Sequence, residues 1–474
     1  MYLPVPLFGY LCDRYSPPPL SLLAGLLFGA GYLLAAFTYR SGPPSDAIEG
    51  GSGWPFGIMI LAFIGIGAGT SCMYLSAVAT CAKNFSTAKY RGFMLAVPIA
   101  AFGLSGMWQS QIGARLLYTK LPNGHRGGVD VFKFFIFLAG ILIGVGILGT
   151  LCLRIVNEEE LIDRGVEELE RSGLLEDSDF FRNDANGNGH RNYGTAVDSE
   201  ADAASDHSSE ADLRLSESVL FKKRDEENRL RRKKSWLLNH ATHSFLTDRT
   251  MWLLAAGFFL LTGPGEAYIN NLGTIIPTLT PRTYFDPDGD PPAGRPETHV
   301  SIIAITSTLA RLFTGSLSDL FAPASQPENP PSTRVSFSRL VLLLPSAFLL
   351  FLSFINLALP FMTPATPSLF LLSSGLLGLG YGASFSLVPI IISVVWGVEN
   401  FATNWGVVAM MPAGGAAVWS IVYSLGYSNA SGGNECTGYA CFAWWAWGCA
   451  ASVGIAIILW GFAWRLWIRR NVIV

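Results

Sequence analysis

Between Thr262 and Gly273 the chain reads Thr-Gly-Pro-Gly-Glu-Ala-Tyr-Ile-Asn-Asn-Leu-Gly, which sets one carboxylate and two amides inside a long apolar run. An ionisable group in such a run is costly to bury and is usually there for function. Glu266, shielded from water, could take up and release a proton. Tyr268, Asn270 and Asn271 could hold a solute or ion beside it. The Gly263-Pro264-Gly265 step predicts a broken helix, whose backbone groups would turn toward a ligand. The other reading of Glu266 is structural, a carboxyl satisfied by a neighbour across a helix crossing.

Other chemistries are excluded by what the chain lacks. No nucleophile triad, Walker loop or metalloprotease helix occurs, so no enzyme and no cofactor are expected. Asp286, Asp288, Asp290 and Glu297 have calcium-loop spacing, but Pro291 stands where glycine is needed. His240 and His243 have no partner cysteines, so no metal site is expected. Half the residues are hydrophobic, 14% are charged and the net charge is −3. That balance fits a membrane class and gives no reason to expect nucleic acid.

What positions these residues is a duplication. Gly9-Tyr10-Leu11-Cys12-Asp13 recurs as Gly315-Ser316-Leu317-Ser318-Asp319, Gly65-Ile66-Gly67-Ala68-Gly69 as Gly378-Leu379-Gly380-Tyr381-Gly382, and Asn84-Phe85-Ser86-Thr87 as Asn400-Phe401-Ala402-Thr403. The offsets are 306, 313 and 316 residues. Three collinear matches point to an internal repeat. The glycine-rich stretches lie within apolar runs, so close helix crossings explain them better than nucleotide binding. Ser71, Tyr74, Tyr381 and Ser384 lie beside them and are candidate solute contacts. Gly9, Asp13, Arg14, Gly315 and Asp319 form a candidate gate. Arg311 precedes Gly315 by one turn and Asp319 by two, so all three share a face. It would join that gate, or bind an anion if a cavity reaches it.

A bilayer core takes about 20 apolar residues to cross as helix. Ten stretches qualify, near 18–38, 54–82, 92–118, 131–153, 250–277, 300–318, 337–360, 367–396, 404–426 and 442–464. The first domain is then 1–153, a cytosolic linker spans 154–249, a second bundle spans 250–466, and 467–474 is a tail. In the linker the acidic stretch from Glu158 suits a helix, and Asp177 to Ser209 is too polar to fold. The cluster from Lys222 to Lys234 places linker and C-terminus in the cytosol and could also meet anionic lipid. Cys436 and Cys441 share one short loop on the other side, where they are candidates for a disulfide. Asn429-Ala430-Ser431 is a glycosylation sequon on that side.

Gly-x-Leu-x-Asp-Arg at a span end, with a weaker copy six helices later, resembles the major facilitator superfamily. The usual basic residues after Asp13-Arg14 are replaced by Ser16-Pro17-Pro18-Pro19. The Thr262–Gly273 segment is similar to that of fungal vacuolar monocarboxylate-transporter homologues of the nodulin-like branch. The resemblance implies an all-α membrane protein of two pseudo-symmetric six-helix bundles, the first lacking its first helix and part of its second. The duplication implies that about 40 to 70 residues, enough for one helix, part of another and a loop, are missing upstream of Met1. The resemblance implies secondary active transport of a small solute, such as an organic acid, by alternating access in the vacuolar membrane, driven by protons. The competing reading is a receptor or scaffold that signals through the long cytosolic loop.

Overall fold

A short helix, Val5–Tyr15 (α1), turns through one residue, Ser16, into Pro17–Arg40 (α2). Ser16 takes the left-handed φ of +74°. Prolines can open the next helix because the first helical N–H has no partner to lose. The computed structural model describes residues 4–44, 52–120, 126–156, 158–171, 208–279, 296–321, 338–361, 366–431, 436–470, 472 and 474. Phe56–Asn84 (α3), Arg91–Leu116 (α4) and Val131–Cys152 (α5) complete the first half. Between α4 and α5 two short strands, Tyr118–Lys120 (β1) and Arg126–Val129 (β2), pair antiparallel with Tyr118 opposite Val129. This small ribbon is an addition to the all-α architecture that the sequence predicts.

Glu158–Arg171 (α6) and Ser208–Thr247 (α7) follow, then the second half: Arg249–Thr278 (α8), Pro296–Phe321 (α9), Leu340–Ala358 (α10), Pro367–Val395 (α11), Phe401–Ala409 (α12), Met411–Ser431 (α13) and Ala440–Arg469 (α14). Among the described residues nine helices are long and apolar enough to cross a membrane, with α12 and α13 counted as one span. The expected span at 250–277 is the 30-residue helix α8, whose apolarity is diluted by Gly263 to Glu266 and by Asn270 and Asn271.

The expected break at Gly263-Pro264-Gly265 is absent, and α8 runs straight through it. Two contacts explain this. Pro264 has no N–H for the Leu260 carbonyl, and the Ser452 hydroxyl of α14 donates to that carbonyl instead, at 2.7 Å. Gly263 packs on Gly415 of α13, where a Cβ would lie 2.6 Å from the Gly415 backbone. Neighbouring helices thus hold a proline helix intact, as happens where no water can serve. The break falls elsewhere, at Met410 between α12 and α13.

The chain divides into two compact units, Met1–Ile155 with Thr242–Val474, and Val156–Ala241. In the smaller unit Ile162 and Val166 of α6 pack with Trp236 of α7, and Lys233 lies 3.8 Å from Asp163. The acidic stretch from Glu158 is helical as expected. Of the tract from Asp177 to Ser209, only Ser208 and Ser209 fall among the described residues, and they open α7. Asp286, Asp288 and Asp290 lie outside the described residues.

In the larger unit the repeats meet crosswise: α1 of the first half packs on α12 of the second, and α9 of the second on α4 of the first. The repeated asparagines both hold the linker. Asn84 donates to the Arg154 carbonyl at 2.8 Å, and Asn400 to the Thr242 hydroxyl at 2.7 Å. Asp248 caps α8 through the Thr250 N–H at 2.9 Å and receives Arg470 at 3.0 Å. These contacts gather one end of the helices, the linker end.

Candidate functional site

At the linker end the two copies of Gly-x-Leu-x-Asp do the same work. Asp13 Oδ2 accepts from the Thr403 N–H and hydroxyl, both at 2.8 Å, at the start of α12. Asp319 accepts from the Gly92 N–H at 2.6 Å and the Phe93 N–H at 2.8 Å, at the start of α4. A carboxylate suits a helix N-terminus, whose N–H groups are unpaired and whose dipole is positive. The glycines allow the approach. A Cβ at Gly9 would lie 2.2 Å from the Ala402 carbonyl oxygen, and one at Gly315 would lie 2.7 Å from the Ala96 Cβ. Arg14 faces outward and donates to the Tyr10 hydroxyl at 2.9 Å.

Each corner has charges that the motif does not announce. Lys83, at the end of α3, pairs with Asp13 at 2.7 Å with both side chains buried. At the other corner Arg339 donates to the Ser318 hydroxyl at 2.9 Å. Burial and the nearby Arg91 pull the Arg339 guanidinium down to about 10, against the attraction of Asp319, so it stays charged near neutrality.

Above these corners lies a cavity of about 50 Å³, lined from both halves by Ser71, Tyr74, Glu266, Arg311, Tyr381 and Trp405. It has room for a few waters at the ~10–15 Å³ that each needs, so the site is narrow. Thr70, Ile99, Phe102 and Phe385 add to its wall, with Val5, Ala409 and Pro412 toward α1 and the α12–α13 break. Glu266 accepts a hydrogen bond from the Tyr381 hydroxyl, and Gly265 makes room for that ring, 2.9 Å from where a Cβ would stand. Arg311, 4% exposed, donates from Nη1 to the Ile99 carbonyl at 2.8 Å. Its guanidinium also lies 5.7 Å from the Phe385 ring centroid.

Three buried donors in this cavity, Arg311 Nε, Trp405 Nε1 and the Tyr74 hydroxyl, meet no hydrogen-bond partner among the described residues. Tyr74 lies close to the Trp405 indole but without bonding geometry. Unmade hydrogen bonds of buried groups are costly, and such groups at a cleft mark where a ligand's acceptors would go.

The structure brings Ser71, Tyr74, Glu266 and Tyr381 together and sets the other candidates apart. Ser384 donates to the Gly380 carbonyl of its own helix at 2.9 Å. Tyr268 points into the second half, 2.8 Å from the Ser374 hydroxyl, which also meets His299 Nδ1 at 2.8 Å. Asn271 donates to the Ala267 carbonyl at 2.8 Å, and Asn270 is exposed. Trp405 and Lys83 are missed by sequence reasoning: a lone tryptophan or a lysine at a span end carries no motif. Cys436 and Cys441 form a disulfide with Cα atoms 5.9 Å apart. Gly438 between them donates to the Thr278 carbonyl at 2.7 Å. Asn429 is exposed near the end of α13.

The Major Facilitator Superfamily profile matches residues 3–420. The chain is 57% identical over its whole length to "Probable transporter mch1" of Aspergillus fumigatus, covering 79% of that protein. To the protein of the same name in Neurospora crassa it is 48% identical, covering all of this chain and 82% of that one. In fold it is similar to the proton:xylose symporter XylE, with TM-score 0.55 at 14% identity, covering 98% of this chain and 83% of XylE. It is similar also to FucP in its outward conformation, with TM-score 0.52 at 13% identity, covering 98% and 87%. A repeated helical fold with a polar cavity between its halves, a full-length family match and close relatives named as transporters lead to one conclusion: this chain belongs to the Major Facilitator Superfamily, a family of multi-pass membrane transporters.

Proposed function

We propose that the protein is a secondary active transporter that moves a small solute, an organic acid, by alternating access and couples that movement to protons. The observation that carries this reading is the cavity between the halves. It holds one carboxylate, Glu266, and one guanidinium, Arg311, with no ion pair between them. The unpartnered donors of Arg311, Trp405 and Tyr74 suit a solute rich in acceptors, as a carboxylate is. Glu266 then carries the proton, with Tyr381 as the partner that holds it while the cavity is closed. Residues 1–153 and 250–466 are the two bundles that rock about this site, with 154–249 as the cytosolic linker and 467–474 as a cytosolic tail. In a vacuolar membrane the disulfide loop and Asn429 would face the lumen, where glycosylation is possible. The basic run 222–234 would lie against anionic lipid on the cytosolic side.

Glu266→Gln tests the coupling, because Gln keeps the shape and one acceptor oxygen but cannot titrate. The variant, in liposomes given a pH gradient and a panel of labelled small carboxylates, should exchange solute but fail to accumulate it. Accumulation equal to that of the unaltered protein would rule out Glu266 as the coupling group.

A further inference from the structure

Helices α9 and α4 cross antiparallel, and three residues on one face of α9 meet successive turns of α4. Asp319 takes the N–H groups of Gly92 and Phe93, Gly315 lies against Ala96, and Arg311 reaches the Ile99 carbonyl. The last rung differs from the others, because it also borders the cavity. One guanidinium therefore has Nη1 bound to the opposite half and Nε unpartnered. The fit to α4 depends on Gly103, where a Cβ would lie 1.8 Å from Arg311 Nη1. The 306-residue offset that relates Asp13 to Asp319 places Val5 opposite Arg311 in the repeat. Val5 lines the cavity too, but an apolar side chain cannot make such a bond. Among the described residues the contact exists at one corner and has no counterpart at the other.

We propose that Arg311 is a cavity-facing tether: it holds the linker end shut by clasping Ile99 of the opposite half, and gives way to a stronger acceptor that enters the cavity. Resting on the transport reading above, this makes Arg311 the residue through which occupancy of the site loosens α9 from α4. A charged acceptor binds a guanidinium more strongly than a neutral carbonyl does. The competition therefore favours release when an anionic group arrives. The ladder extends the effect to Asp319 at the linker end, because the three rungs lie on one rigid helix face.

The test uses Cys12, which is buried beside Asp13 and shares the α1 face that carries Gly9 against α12. The full chain in nanodiscs is treated with a membrane-impermeant maleimide, and the Cys12 peptide is read by mass spectrometry. Gly103→Ala displaces only the flexible end of Arg311. It should raise Cys12 modification roughly tenfold, the shift that follows from losing a hydrogen bond to a charged group. Gly106→Ala, on the same helix with nothing within 4 Å of the added Cβ, should label as the unaltered protein does. Arg311→Lys, which keeps the charge but shortens the reach, should resemble Gly103→Ala and serves if that variant fails to fold. Acetate, compared with chloride at equal ionic strength, should raise labelling of the unaltered protein and leave Arg311→Lys unchanged. Equal labelling of Gly103→Ala and Gly106→Ala would overturn the tether, and an acetate effect no larger than that of chloride would overturn release by an occupant. Neither result depends on transport, so a tether that holds while Glu266→Gln accumulates normally would sink the coupling reading alone.

Discussion

At one corner of the linker end Asp13 caps α12 and is neutralised by Lys83, both side chains out of water. At the other, Asp319 caps α4 while half-buried, with no ion pair of its own among the described residues. The repeat offset at Asn84 and Asn400 carries Lys83 onto Glu399, a reversal of charge. The helices that they cap differ too: α12 stops at Met410 after nine residues, whereas α4 continues for 26 residues with Pro98 inside it. Among the described residues, the Asp319 corner has an arginine, Arg311, at its cavity end, where the Asp13 corner has Val5. The difference teaches that one motif, copied, has been given two tasks. The Asp13 corner is an electrostatic lock on a short segment, and the Asp319 corner is a ladder that reaches the site.

The largest effect expected from breaking this comparison comes at Asp13. Asp13→Asn leaves the Lys83 ammonium buried without its counter-charge, a change that costs about 3–5 kcal/mol when a buried pair loses one member. Thermal unfolding in detergent should show the loss. Adding Lys83→Met to Asp13→Asn should recover part of it, because the stranded charge is gone. Additive effects of the two substitutions would mean that the pair is not a unit.

Asp319→Asn removes the charge from two cap bonds and takes a longer-range attraction from Arg339 but breaks no close ion pair, so about 1–2 kcal/mol is expected. A loss as large as that at Asp13 would erase the asymmetry. The glycines sharpen the same point. Gly9→Ala would drive a methyl into the Ala402 carbonyl, which is backbone and cannot turn away, whereas Gly315→Ala meets first the Ala96 methyl. Gly9→Ala should therefore lower the melting temperature more than Gly315→Ala.

The smallest effect concerns Asp248, which lies outside both corners. Burial raises its carboxyl, but the Thr250 hydrogen bonds and Arg470 outweigh burial and hold it below the ordinary value of 3.8. A lowered pKa in the folded state adds stability above the ordinary value, and that stability is lost as pH falls through the folded value. Asp248→Ala should thus cost about 1 kcal/mol as a lost cap at neutral pH. Its melting temperature should converge with that of the unaltered protein below pH 3.8.

Much of this was legible in the sequence, for physical reasons. Asp13, Gly9 and their copies could be read because helix ends and helix crossings demand those residue types locally. Glu266 could be read because a carboxylate in an apolar run is conspicuous. Arg311 shares a face with Gly315 and Asp319 as the spacing requires, but only the fold shows that this face ends at the cavity. Lys83 lies 70 residues from Asp13 in sequence, and at a span end it looks like any topology signal. The expected break at Pro264 failed because Ser452, distant in the chain, supplies the missing donor. The break at Met410 carries no glycine and precedes its nearest proline, Pro412, by two residues. Whether a proline breaks a membrane helix is decided by its neighbours, which sequence order hides.

The unequal corners can be measured directly as a distance. Spin labels at Arg14 and Leu320, both exposed at the linker end on opposite halves, would report how far the halves separate there, with Cys152 replaced by alanine and pulsed electron paramagnetic resonance as the readout. The unaltered protein should show one short distance. Asp13→Asn should move a larger share of molecules to a longer distance than Asp319→Asn does. Equal shares, or the reverse order, would contradict the claim that the buried Asp13–Lys83 pair is the stronger lock.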